Sequence, residues 1–206
     1  MERRDNYALQ TQSAKNRFIT YDQAALIRKL HLKSDPDYLY TSLFSVPYRV
    51  NRQTGGLQRL QNGVWASADS FNEVMTLLDL LCDSKMDRCL SGRFKSMQSF
   101  GLMFHQNMLE SAKDPHALWV NEHPDAFSAG CLALGGKPFP GCDLGYEIEI
   151  FDRLPIAVQF WFGDDEFLPR LRYLWDENAL QYIRYETMYY AISLLEALIK
   201  GKNPVR

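Results

Sequence analysis

Three features that would assign a function class directly are missing from the 206-residue sequence. No apolar run approaches the roughly 20 residues that span a bilayer. The net charge of −2 provides no basic field to hold nucleic acid or an anionic membrane. The four cysteines form no C-x-x-C pair, so the spacings of zinc ribbons, thioredoxins and iron–sulfur proteins do not occur. We therefore expect no membrane association and no nucleic-acid partner.

The beginning of the chain also lacks a secretory pattern. After Met1, residues 2–5 are all charged, and further polar residues follow instead of an apolar segment. We therefore expect a cytoplasmic protein whose cysteines are reduced thiols, most of them buried as small apolar side chains.

What the sequence does contain is the composition of an ordinary globular protein. Hydrophobic residues make up 46% and charged residues 23% of the chain. The length predicts one domain over residues 1–206, with a helical segment at about residues 1–35.

Strand signals occur in two regions. Residues 40–50 are rich in β-branched and aromatic types, and residues 57–65 are a second run of polar and apolar residues. The turn Thr54-Gly55-Gly56 lies between them, which predicts a β-hairpin. A second hairpin is predicted where Tyr146–Phe151 and Ile156–Phe162 flank Asp152–Pro155. A third strand is expected beside it, at Leu171–Trp175.

Helix signals lie between and after these strands. Two capping boxes predict helix starts at Thr20–Gln23 and Ser70–Glu73. Two further starts have proline in the first turn, at Asp114-Pro115 and His123-Pro124, and the last helix is expected to begin near Asn178. A further helix is expected within residues 92–112, and the last helix would close at Gly201. The predicted fold class is α+β, a single domain with two β-hairpin regions packed against several helices and a long C-terminal helix.

Four carboxylates flank the second predicted hairpin. Asp143 precedes its first strand, and Asp164, Asp165 and Glu166 follow its second. Because the start of one strand and the end of its antiparallel partner share an end of the hairpin, we expect the four side chains to gather there. Clustered carboxylates repel one another unless they are neutralised, and a hard cation such as Mg²⁺ or Ca²⁺ suits oxygen ligands.

The same residues allow a second interpretation. Residues 163–165 have the composition of a turn, and turn carboxylates commonly accept hydrogen bonds from nearby backbone N–H groups or face water. Two further acids are ambiguous in the same way. Asp176 is expected to cap the last helix, and Glu186 lies one turn from Tyr182 and Tyr190, either held by a tyrosine or at an exposed helix edge.

The last third of the chain resembles a known family. The residues that carry the resemblance are Leu134-Gly135-Gly136, Asp143, Pro155, Trp161–Phe167, Pro169, Leu174–Asp176, Tyr182 and Glu186. This string is similar to the bacterial and archaeal family designated domain of unknown function 3786. The similarity is firm over residues 130–190 and extends with weaker motifs to the first hairpin, which predicts a family-like core at about residues 38–200.

The resemblance implies a metabolic context but no specific reaction, because the family has no established activity. Some relatives carry this domain after a small iron–sulfur module like those of corrinoid-dependent methyl-transfer systems. That company implies an accessory role in the cofactor-dependent one-carbon metabolism of anaerobes. The present chain lacks the cysteine module.

Three function classes follow. We expect a non-catalytic binding or accessory module for a protein or small-molecule partner, with Asp143, Asp164, Asp165, Glu166, Trp161 and Glu186 as the candidate ligand-binding residues. The alternative is a metal-dependent hydrolase that holds Mg²⁺ with the four carboxylates and uses His123 as base. A homo-oligomer without a ligand is a third class.

Overall fold

The computed structural model describes residues 3–100 and 114–201. These residues form six α-helices and two five-stranded antiparallel sheets, which confirms the α+β class. The helices are α1 (Arg3–Thr20), α2 (Gln23–Leu30), α3 (Phe71–Asp83), α4 (Pro115–Glu122), α5 (Pro124–Ala133) and α6 (Tyr185–Ile199). None of the described helices combines the length and the apolar character that a membrane span requires.

The two sheets differ in topology. The first is a meander whose spatial order is the chain order: β1 (Lys33–Ser34), β2 (Tyr38–Leu43), β3 (Val46–Asn51), β4 (Leu57–Gln61) and β5 (Val64–Ser67). The second has the spatial order β6 (Phe94–Ser96), β10 (Arg170–Asp176), β9 (Leu154–Trp161), β8 (Leu144–Phe151) and β7 (Lys137–Pro138).

The described residues fall into two compact units. The first contains residues 3–89 and 180–195, and the second contains residues 90–100, 114–179 and 196–201. The first unit therefore holds α1, α2, α3, the first sheet and most of α6. The second holds α4, α5 and the second sheet. The single-domain organisation predicted from the length stays a prediction.

The first sheet contains more turns than the sequence indicates. The stretch expected as one strand at residues 40–50 is divided into β2 and β3 by a tight turn at Phe44 and Ser45, with φ of 52° and 61°. The next stretch is divided at Asn62 and Gly63. Because neither Phe nor Ser favours positive φ, the first of these turns has no sequence signature.

The caps of α2 and α3 show one wrong and one correct prediction. Asp22, and not Thr20, caps α2, because its carboxylate accepts a hydrogen bond from Ala25 N at 2.9 Å. Ser70 caps α3 as predicted, accepting from Glu73 N. Helix α3 is buried on several sides, and it carries polar as well as apolar side chains into the core.

The second unit contains the predicted second hairpin. Strands β8 and β9 pair antiparallel, with Leu144 opposite Phe160, and the turn between them places Asp152 and Arg153 at φ of 49° and 66°. Helices α4 and α5 begin at the predicted prolines. Towards residue 100, the helix expected within residues 92–112 is replaced by β6 and a 3₁₀ turn (Met97–Phe100). Residues 101–112 of that predicted helix lie outside the described residues, and residues 92 and 93 belong to the loop before β6.

Asp176 does not cap the last helix. That helix begins at Tyr185, later than predicted, and residues 179–181 form a 3₁₀ turn in front of it. The fully buried Asp176 carboxylate accepts hydrogen bonds from the backbone N–H groups of Ser91, Gly92 and Asn178. Burial alone would raise the pKa of this carboxyl, and the three backbone donors together with the Ser91 side chain lower it further than burial raises it. Asp176 thus joins the end of β10 to the loop before β6.

Candidate functional site

Asp143 lies where the antiparallel pairing predicts it, beside the end of β9. Its backbone N–H donates to Phe160 O at 3.0 Å, and its carboxylate accepts from Phe162 N at 2.8 Å. The first of these bonds extends the β8–β9 ladder by one residue. The second attaches the carboxylate to the chain as it leaves β9, so the Asp143 side chain is part of the framework of the following loop.

Asp164 organises the loop that follows β9. Its carboxylate accepts hydrogen bonds from Glu166 N at 2.9 Å and Phe167 N at 2.7 Å, and its own N–H donates to Phe167 O at 2.9 Å. The backbone N–H groups of Phe167 and Glu166 lower the pKa of the Asp164 carboxyl, because they stabilise its charged form. The result is a closed turn built around one carboxylate.

Gly163 fixes the same loop from the other side. Its N–H donates to the Asn121 side-chain oxygen at 3.1 Å, which ties the loop to α4. A Cβ at this position would lie 2.7 Å from Pro169 Cδ and 2.8 Å from Pro169 N, so only glycine fits without a shift. Residues 162–169, hereafter the acidic loop, are therefore held at Asp143, Asn121 and Asp164.

Metal binding by Asp143, Asp164, Asp165 and Glu166 stays a prediction. In the part of the chain that the structure describes, which includes all four, no group of three or more His, Cys, Asp and Glu side chains is arranged to hold a metal ion. Asp143 and Asp164 accept backbone N–H donors instead. This is the bonded-turn interpretation of the sequence, and it gives the Mg²⁺-dependent hydrolase no support.

The acidic loop exposes apolar side chains that sequence reasoning missed. Phe162, Phe167 and Leu168 are 46%, 68% and 56% exposed. Their sequence signal is an apolar pair placed directly before a proline in a turn region, which is visible only once the turn is recognised. Trp161, the last residue of β9, is half-buried, and the Arg170 guanidinium lies 5.9 Å from its ring centroid.

The comparison with family models identifies the type of domain. The model of the family described as "Domain of unknown function (DUF3786)" matches residues 22–196. The chain belongs to this family. The DUF3786 match begins at the N-cap of α2, ends within α6 and includes both sheets and the acidic loop. No curated protein and no solved structure matches the chain at a significant level.

Glu186 lies in the other unit of the DUF3786 protein. It is an exposed residue in the first turn of α6. Burial first, then the charges of Asp79 and Glu186, raise the pKa of the Tyr190 hydroxyl. This placement agrees with the exposed helix edge that the sequence left open, and a ligand-binding role for Glu186 stays a prediction.

Proposed function

We propose that this DUF3786 protein is a binding module that docks a partner protein through the acidic loop, and that the partner presents basic and apolar side chains. The observation that carries the proposal is the exposure of Phe162, Phe167 and Leu168 on a loop whose backbone is fixed. Large apolar side chains grouped on a surface are typical of interaction sites.

The fixed backbone supports docking through its energetics. A flexible loop loses conformational entropy when it binds, and that loss reduces affinity. Here the bonds from Phe162 N to Asp143, from Gly163 N to Asn121 and from Phe167 N to Asp164 already order the loop. The apolar side chains are therefore presented in place before a partner arrives.

The charge of the loop indicates the chemistry of the partner. Asp164, Asp165 and Glu166 are exposed and directly precede Phe167 in the chain. Carboxylates at the edge of an apolar contact favour a cationic partner and disfavour an anionic one, and they act mainly on association rate and specificity. A partner surface that alternates Lys or Arg with Leu or Phe would satisfy both parts of the loop.

Two synthetic peptides test this proposal directly. One is an amphipathic peptide of Lys and Leu, and the other is a matched peptide of Glu and Leu, each labelled for fluorescence anisotropy. We expect the protein to bind the Lys/Leu peptide more tightly than the Glu/Leu peptide, with an affinity that falls as salt increases. Equal affinity for both peptides would contradict the proposal.

Matched variants separate the loop from the rest of the surface. The variant Phe167→Ser/Leu168→Ser is expected to weaken Lys/Leu binding by about tenfold or more, because truncated apolar anchors typically cost over 1.4 kcal/mol. The control is Leu132→Ser in α5 of the same unit, where Leu132 is 56% exposed. Equal losses in both variants would show that the peptide does not use the loop.

Three finer assignments stay predictions. They are an accessory role in one-carbon metabolism, a cytoplasmic location, and self-association of the protein through the acidic loop. Sedimentation of the wild type and the Phe167→Ser/Leu168→Ser variant distinguishes the last case, because a homo-oligomer held by the loop would dissociate in the variant.

A further inference from the structure

A second cluster of polar side chains lies in the second unit, away from the acidic loop in sequence. His116 of α4 contacts Glu196, in the last turns of α6, and Lys200, which directly follows that helix. The Glu196 carboxylate is 2.7 Å from His116 Nε2, and the Lys200 ammonium is 2.6 Å from His116 Nδ1. Tyr173 of β10 donates its hydroxyl to the other Glu196 oxygen at 2.6 Å.

The hydrogen bonds of this cluster run in a single direction. An ammonium has only donors, so Lys200 donates and His116 Nδ1 accepts. With Nδ1 as the acceptor, the ring N–H is on Nε2, where it donates to Glu196. The second carboxylate oxygen is occupied by the Tyr173 hydroxyl, whose pKa is raised well above its ordinary value by burial and by the Glu196 charge. Glu196 therefore orients the ring and leaves Nδ1 directed at the amine.

A small apolar cavity adjoins these side chains. Its volume is about 10 Å³, which is about the space of one water-sized group. The four polar residues contribute to its lining together with five apolar ones: Trp119, Val120, Phe127, Leu171 and Ile199. The Lys200 ammonium lies over the Trp119 ring, 4.9 Å from the centroid, so the amine is held at the cavity rather than in open solvent.

We propose that Lys200 is a nucleophilic amine that captures uncharged aldehydes as imines, with His116 as its general base. His116 Nδ1 takes a proton from the Lys200 ammonium, and the free amine pair attacks the carbonyl carbon. A proton passes from nitrogen to oxygen, which gives a neutral carbinolamine. His116 then returns its proton to the hydroxyl, which leaves as water, and a protonated imine remains. The net change is ammonium plus aldehyde to iminium plus water.

The surroundings of Lys200 supply what this step needs. An ordinary lysine ammonium is a weaker acid than an imidazolium by about 4 pK units, so a charged lysine needs a base before its nitrogen can attack a carbonyl. Glu196 stabilises the imidazolium that forms, as a carboxylate does for the histidine of a hydrolase triad. The same carboxylate repels anionic carbonyl compounds, which favours uncharged aldehydes.

Reductive alkylation with acetaldehyde and cyanoborohydride tests the proposal. The rate of ethylation at each lysine is followed by tandem mass spectrometry of digested protein at pH 7, with the exposed Lys33 of β1 as internal reference. We expect Lys200 to react at least about tenfold faster than Lys33, a threshold set below the roughly 100-fold lower end of general-base assistance. With glyoxylate, whose carboxylate meets Glu196, the preference should disappear. Equal acetaldehyde rates at Lys200 and Lys33 would overturn the proposal.

Variants assign the effect to the cluster. His116→Gln should reduce the Lys200 rate to that of Lys33, and Glu196→Gln, which keeps hydrogen-bonding atoms but removes the charge, should reduce it partly. The control is Arg172→Gln, an exposed change on β10 beside Tyr173. An unchanged Lys200 rate in a folded His116→Gln variant, judged by circular dichroism, would overturn the role of the histidine. This outcome is independent of peptide binding by the acidic loop.

Discussion

Carboxylates have opposite roles in two regions of the molecule. In the first unit, Glu73 and Asp79 of α3 are 2–3% exposed and bonded to side chains from other elements. In the second unit, Asp143 and Asp164 are exposed and bonded to backbone N–H groups of their own neighbourhood. A buried carboxylate fixes which elements pack together, whereas an exposed one fixes the path of a loop and leaves the adjacent side chains available for contact.

The network around Glu73 shows the first role most clearly. Its carboxylate pairs with the buried Arg59 guanidinium of β4, accepts from the Tyr48 hydroxyl of β3 at 2.9 Å, and accepts from Ser70 at 2.6 Å. These bonds link α3 to the first sheet. A network in low dielectric is sensitive to the loss of any member, because the remaining polar groups are already removed from water.

The largest expected effect is the loss of this carboxylate. Glu73→Ala removes the carboxylate that pairs with the buried Arg59 guanidinium, and breaking a buried pair in this way costs about 3–5 kcal/mol of unfolding free energy. Urea denaturation followed by circular dichroism measures it. The double variant Glu73→Leu/Arg59→Met should be more stable than the single variant, since it removes both charges. If the double variant is the less stable of the two, the pair has a role beyond mutual neutralisation.

A smaller effect is expected where the acidic loop is packed most tightly. Gly163→Ala places a Cβ against Pro169, and overpacking of this kind costs about 1–3 kcal/mol. The variant should also bind the Lys/Leu peptide less well, because the apolar side chains move with the backbone. The control variant is Ala66→Gly in β5, which lies outside the acidic loop. Gly63→Ala cannot serve as the control, because Gly63 has positive φ and alanine would be strained there. Wild-type peptide affinity in Gly163→Ala would show that loop order is unimportant for binding.

The two regions should also differ in the sign of their pH dependence. The pKa of the Asp164 carboxyl lies below its ordinary value of 3.8. The stabilisation that Asp164 adds to the unfolding free energy is therefore present above pH 3.8 and is lost as pH falls through the lowered pKa. Burial, opposed by Thr187 and Arg17, raises the pKa of Asp79, so the unfolding free energy contributed by Asp79 falls as pH rises from 3.8 to the raised pKa. Carboxyl ¹³C NMR titration measures both directions. Asp79→Asn should remove the second dependence and leave the first unchanged.

The smallest effect is expected for an exposed ion pair. Arg93 and Glu177 lie 2.6 Å apart, but the Arg93 side chain is 77% exposed. Surface pairs of this kind contribute little, so Arg93→Gln should change the unfolding free energy by no more than about 0.5 kcal/mol. Thermal unfolding at low and high salt measures the change. A loss comparable to that of Glu73→Ala would remove the distinction between buried and exposed carboxylates.

The sequence predicts those parts of the fold that are specified locally. The cap at Ser70 and the helix starts at Pro115 and Pro124 follow from neighbouring residues, and so does the hairpin over residues 144–161. The turn at Phe44 could not be predicted, because its positive φ is imposed by the pairing of β2 with β3 and not by residue preference.

The candidate site shows the same limit. The position of Asp143 at the end of β9 follows from strand direction, but the partners of its carboxylate do not, because a backbone N–H donor has no signature in the sequence. The grouping of His116 with Glu196 and Lys200 joins positions about 80 residues apart, and no spacing rule connects them. Asp176 was expected at a helix start because it precedes the last helix in the chain, yet tertiary structure buries it beside Ser91.

The two-residue strands β1 and β7 have a consequence for the behaviour of the protein at high concentration. Each is an edge strand of its sheet. The opposite edge strand of the first sheet, β5, has four residues, and that of the second sheet, β6, has three. Short margins offer few unpaired backbone groups to a strand from another molecule. Intermolecular strand addition, the route to fibrils, is therefore disfavoured at all four borders.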